Sequence, residues 1–175
     1  WVEIYNTGAA AVDISGWRID DEDSTNWGPL PAGSTLEPGQ AAIIANIPTE
    51  FSATWGAGIK VFGVSWAALA NTPSATNEVL VLRDNADAEV DMANYEADTN
   101  GWPPSTNGRS IYLKNINLDN NVGANWGLSQ VGIDGAYSPA TAVAPFSASD
   151  VGSPGFVVVP EPAGLLLALG LGLAV

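Results

Sequence analysis

The sequence predicts an all-β domain, and three observations carry that reading. Short apolar stretches alternate with polar residues at the two-residue period of half-buried strands. Gly, Pro, Asn, Ser and Thr interrupt those stretches at short intervals, as turns between strands require. Only 14% of the residues are charged, a composition that suits strands and turns better than helices. At 175 residues the chain supports one core of ordinary size, with something extra at an end.

The first element is Val2 and Ile4 alternating with Trp1, Glu3 and Tyr5, a strand with one face inward. Asn6-Thr7-Gly8 breaks it with turn chemistry, since Asn and Gly both tolerate left-handed backbone angles. Val12 and Ile14 resume a strand, Ser15-Gly16 bends it, and Trp17 and Ile19 return to the inward face. An acidic cluster, Asp20 to Asp23, closes this opening stretch. A turn-rich loop follows, and then the apolar run Ala41 to Ile47, which is short and flanked by Pro38-Gly39 and Pro48 and so reads as a buried strand. Residues 48–58 read as a loose loop anchored by Phe51 and Trp55, and a further strand begins at Ile59. Val79 to Leu82 and Val90 to Tyr95, joined by a polar turn over Asp84 to Asp87, form the clearest hairpin. Ile111 and Leu113 mark a strand after the Trp102-Pro103-Pro104 loop.

The order VEIYN, VDISGWRI and an acidic run resembles the opening of the lamin-tail domain, an immunoglobulin-like β-sandwich of nuclear lamins and of many secreted bacterial proteins. Later residues continue the resemblance. Trp27, Pro31, Gly33, Pro38 and Gly39 fit its loop before a strand, and Leu69 and Asn71 fit the segment before its hairpin. Val79 or Val81, Asp84, Val90, Asp91 and Tyr95 fit the hairpin itself, and Gly108, Ser110, Ile111 and Leu113 its next strand. Trp126 and the closing Gly152-Ser153-Pro154-Gly155 complete the pattern. The resemblance implies an immunoglobulin-like β-sandwich over residues 1–156 with a non-catalytic role. Residues 128–151 are longer and richer in Ala than the pattern, which points to an inserted loop.

From Val157 the composition changes to VVVPEPAGLLLALGLGLAV. Val159, Pro160, Glu161 and Pro162 followed by an apolar run resemble the front of a PEP-CTERM sorting signal, here lacking the Arg cluster that ends that pattern. The thirteen apolar or Gly residues from Ala163 fall short of the about 20 that span a bilayer. The segment 157–175 is therefore read as a truncated sorting and membrane segment. By resemblance, its partner is an exosortase-type membrane peptidase, and the domain is exported to the cell surface or matrix. The absence of an initiator Met or a signal peptide before Trp1 leads us to expect a fragment or a closely trimmed mature chain.

Composition also sets exclusions. Nineteen acidic residues against five scattered basic ones argue against a nucleic-acid partner. Without Cys or His the chain has no disulfide, no thiol nucleophile, no His-based triad and none of the soft metal ligands. No nucleophile elbow or phosphate-binding Gly loop is present, and no carboxylate pair stands out among the acids, so a glycoside hydrolase built on one is a distant alternative. Two binding chemistries are candidates. Asp20, Asp21 and Asp23 offer hard oxygen ligands for calcium, although a like-charged turn is ordinarily just solvated. Trp55 and Trp102 are the Trp residues best placed for exposure, and hence for stacking on a polysaccharide. No other cofactor is expected.

Overall fold

The computed structural model describes residues 1–21, 27–66, 78–95, 99–104 and 106–160. In chain order the elements are β1 (Val2–Tyr5), β2 (Val12–Asp13), β3 (Arg18–Asp20), β4 (Thr35–Leu36), β5 (Ala41–Ala45), α1 (Pro48–Trp55), β6 (Val61–Gly63), β7 (Glu78–Arg83), β8 (Glu89–Tyr95), β9 (Ile111–Leu113) and β10 (Trp126–Leu128). The expected all-β architecture is present as two three-stranded sheets, β1-β5-β6 and β3-β7-β8, with two short ribbons, β2-β4 and β9-β10.

Alternation decides what lies between the sheets. Val2 and Ile4 stand opposite Ile44 and Ala42 in antiparallel register, so these four share one face. That face packs with Ile14, Ile19, Trp27, Leu36 and Trp66 into the main core, against which Leu80 and Leu82 of β7 lean. The turn after β1 is held by Asn6, which is only 8% exposed. Its Nδ2 donates to the carbonyls of Ala10 (2.9 Å) and Leu36 (3.0 Å), and its Oδ1 accepts from Gly8 N (2.9 Å). Asn6→Ala strands these backbone groups at a buried site, and we expect a loss of about 2 kcal/mol, read as a lower urea midpoint at unchanged m-value. The bend at Ser15-Gly16 separates β2 from β3 as expected. Gly16 sits at φ +80°, where Asn85 Oδ1 lies 2.9 Å from where a Cβ would stand.

Residues 48–55 differ from the expected loose loop, since they form the eight-residue helix α1. Pro48 occupies its first turn, where a missing N–H costs nothing, and Phe51, Thr54 and Trp55 fall on one buried face at helical spacing. The helix carries the chain from β5 to β6, which pair in parallel. The loop before β5 also contains a strand that composition did not suggest: β4 pairs with β2 through Val12–Leu36 and Asp13–Thr35.

The opposite face of the β1-β5-β6 sheet is covered too. Ile43 and Ala45 pack there with Phe51 and Trp55, together with Trp1, Val61, Tyr137 and Phe146. Residues 128–151, anticipated as an inserted loop, supply Tyr137 and Phe146 to this second core. Tyr137 Oη donates to the Trp55 carbonyl at 2.6 Å, and Val143 N donates to Thr54 Oγ1 at 3.0 Å.

The hairpin β7-β8 is as expected, with a register shift beside Arg83. Asp84 caps its own turn, its Oδ1 accepting from Ala86 N (2.8 Å) and Ala88 N (2.9 Å). The outer edge of β8 is met by the Asn-rich loop before β10: Asn121 Oδ1 accepts from Asn94 N at 2.9 Å, and Asn120 Nδ2 donates to Asp91. This loop gives the strand edge side-chain partners in place of a further strand.

Candidate functional site

A cavity of about 870 Å³ opens where β1, the β7-β8 hairpin and the β9-β10 ribbon converge. β1 is an edge strand, and residues from both of its faces line the cavity, so the space passes around its unpaired edge. Toward the sandwich the walls include Val2, Ile4, Leu80, Leu82, Ile111 and Leu113. On the outer face the lining includes Glu3 and Trp55.

Glu3 is the anomaly of this site. Alternation puts it on the outer face of β1, a position that would be wet if α1 and residues 137–146 did not cover that face. Its Oε2 accepts from Gly155 N at 3.2 Å, while its Oε1 is buried without a partner. Burial pushes its carboxyl up to about 7, against the Gly155 N–H, which acts to lower it. The other acids of the lining accept hydrogen bonds as well. Asp150 accepts from Ser147 N, Asp119 from Asn121 N, and Asp91 from Met92 N and Asn120. Glu3 is the acid of this lining with a buried oxygen left unpartnered, so the arrangement offers polar recognition. Arg109 is committed as well, its guanidinium donating to the Ser129 carbonyl.

Of the residues singled out in the sequence, Trp55 and Trp102 both border this cavity, while Asp20 and Asp21 lie elsewhere. Trp55 and Trp102 are 6% and 7% exposed, which corrects the expectation that they present free faces for stacking. Trp55 meets Tyr137 edge-on at 5.4 Å, and Trp102 lies between Tyr95 at 6.4 Å and Trp126 at 5.6 Å. In each case the ring fills a packed cluster. Asp20 and Asp21 are buried at 6% each, which departs from a solvated acidic turn. Asp20 Oδ2 pairs with Arg83 Nε at 3.2 Å, and Asp23 lies outside the described residues. Among the described residues no group of three acids is placed to hold a metal ion. Val159 is 57% exposed, and Glu161 and Pro162 lie outside the described residues, as do Leu69 and Asn71.

Glu3 itself was legible only as the polar partner in an alternating strand. Nothing local distinguishes a solvated polar position from one covered by residues far along the chain.

In comparison with known proteins, the family model for the lamin tail domain matches residues 1–97. No curated protein and no solved structure matches the chain.

Proposed function

Since the chain belongs to the lamin tail domain family, whose members are immunoglobulin-like and generally non-catalytic, we propose that it is an exported structural and interaction domain sorted by its C-terminal segment. The abrupt change of composition at Val157 carries this reading. An acidic, turn-rich domain gives way there to Val159-Pro160-Glu161-Pro162 and an unbroken apolar run. Pro160 and Pro162 disfavour helix, and the motif is of the kind read by a membrane peptidase of the exosortase type. The exposure of Val159, at 57%, is consistent with an accessible motif. Among the described residues no helix is long and apolar enough to cross a membrane. On the cell surface or in the matrix, the formal charge of −14 keeps the domain soluble and lets divalent cations bridge it to other acidic polymers.

The test is the fate of the protein in an exosortase-bearing host. Surface material is expected to have lost the apolar segment by mass spectrometry, and replacing Pro160, Glu161 and Pro162 by Ala is expected to leave unprocessed protein in the membrane fraction. Identical processing of the parent and the triple variant would refute the sorting role.

A further inference from the structure

Side chains alternate between the faces of a strand, so a cavity that touches every residue of a strand runs along its edge, and one that touches every second residue lies over a face. The cavity beside β1 does both. Its lining takes in every residue of β1 and of β9, but alternate residues of β7 (Leu80, Leu82) and of β8 (Asp91, Ala93, Tyr95). It is therefore a trough with the edges of β1 and β9 as its sides and the β7-β8 hairpin as its floor.

The ladder bonds fix which backbone groups these edges present. Ile43 N donates to the Lys60 carbonyl on the β6 side (2.8 Å), so its opposite number Glu3 makes no ladder bond to β5 and turns its N–H and C=O outward. Asn6 N donates to the Gln40 carbonyl on the β5 side (3.0 Å), so Tyr5, one residue earlier, also faces outward. On β9, Ser129 N donates to the Ser110 carbonyl and Lys114 N to the Asn125 carbonyl, both at 2.9 Å. The groups of Ile111 and Leu113 are thereby left on the side away from β10. Among the described residues none of these outward groups has a backbone partner.

We propose that this trough takes up an extended peptide as an added strand along β1, with apolar side chains at alternate positions and basic residues at its ends. Free strand edges call for a ligand that carries donors and acceptors along its length, which a hydrocarbon tail lacks. Alternation follows from the floor, where every second side chain meets Leu80, Leu82 and Ala93. The Trp1 α-amine also borders the cavity, and a peptide carbonyl suits it as an acceptor. The basic ends follow from charge. Asp91, Asp119 and Asp150 line the trough, while the Arg109 guanidinium is held by the Ser129 carbonyl and the whole chain carries −14. The four residues of β1 extend over about 13 Å, at about 3.3 Å each, so a heptapeptide spans the edge with its ends free.

The probe is the capped heptapeptide Lys-Val-Thr-Val-Thr-Val-Lys, titrated into the 175-residue chain and followed by Trp fluorescence and by amide exchange in NMR spectra. We expect saturable binding, with the Glu3 and Tyr5 amides exchanging at least about tenfold more slowly in the complex. N-methylation of its three central amides keeps the side chains and removes the donors, and is expected to weaken binding at least about tenfold. Glu in place of both Lys residues is expected to weaken it about fivefold at low salt. Ala93→Phe fills the trough from its floor and is expected to abolish binding, with cooperative urea unfolding as the check that the variant is folded. The proposal fails if the peptide does not saturate, if the N-methylated or the Glu-ended peptide binds as well, if folded Ala93→Phe binds like the parent, or if the Glu3 and Tyr5 amides exchange unchanged. It also fails if sedimentation shows a dimer in which those amides are protected without peptide, since the occupant is then a second copy. None of these results bears on the sorting reading, which rests on the segment after Val157.

Discussion

Replacing Phe51 by Ala is expected to cost about 3–5 kcal/mol, the range for truncating a fully buried aromatic side chain. Phe51 has no exposed surface, and it sits at the centre of the second core. Trp1 and Phe146 meet it edge-on at 5.6 and 5.9 Å, and Trp55 lies tilted at 6.4 Å. The cost adds the lost transfer free energy to that of a void that these rings cannot close, since each is held by other contacts. The Trp55 ring, for instance, is also packed edge-on by Tyr137 at 5.4 Å. A domain of this kind has about 5–15 kcal/mol in hand, so the variant is expected to be marginal at 37 °C. Urea unfolding measures the change, and near-UV circular dichroism should show the aromatic cluster loosened. A loss below about 1 kcal/mol would mean that residues 137–146 do not pack on α1 as described.

The second large effect depends on pH and has the opposite sign. The Glu3 carboxyl is raised from an ordinary 4.5 to about 7, chiefly by burial. Between those values the folded chain holds a proton that the unfolded chain has released. Stability therefore falls as pH rises through this window and is flat on either side. The whole window corresponds to about 3 kcal/mol, at 1.36 kcal/mol for each unit of pKa. Glu3→Gln removes the titration. It is expected to match or slightly trail the parent near pH 4.5, where its amide N–H₂ has no partner at the Oε1 position. By pH 8 it should exceed the parent by up to about 3 kcal/mol. Urea unfolding of both chains at pH 4.5, 6 and 8 reads the difference directly. A gap that does not widen with pH would show that Glu3 is solvated.

The sequence exposed those parts of the fold whose causes are local. Val2 and Ile4, Val12 and Ile14, and Trp17 and Ile19 announce strands by alternation, and the hairpin announces itself by Asp84 to Asp87 between two strand-like runs. Helix α1 was missed because it spans barely two turns, too short for a period to stand out. The usable signal is Pro48 at a helix start, with Phe51 three residues on and Thr54 and Trp55 three and four beyond Phe51, but a Pro after an apolar run equally marks the end of a strand. The burial of Trp55 and Glu3 was out of reach for a different reason. Both are covered from residues 137–155, some eighty to one hundred and fifty positions further along, and no local pattern encodes a partner at that distance. The Asp20 pairing with Arg83 is hidden in the same way, since it crosses 63 positions.

The late arrival of that cover has a consequence for biogenesis. Ile43, Phe51 and Trp55 leave the ribosome long before Tyr137 and Phe146 do, so during synthesis one face of the β1-β5-β6 sheet stays bare and sticky. A polypeptide cut at residue 97, where the family match stops, never receives its lid. Such a truncation should be captured by chaperones or precipitate, and adding residues 98–156 as a separate chain should rescue it. The residues matched by the family model would then be too few for this chain to fold by itself.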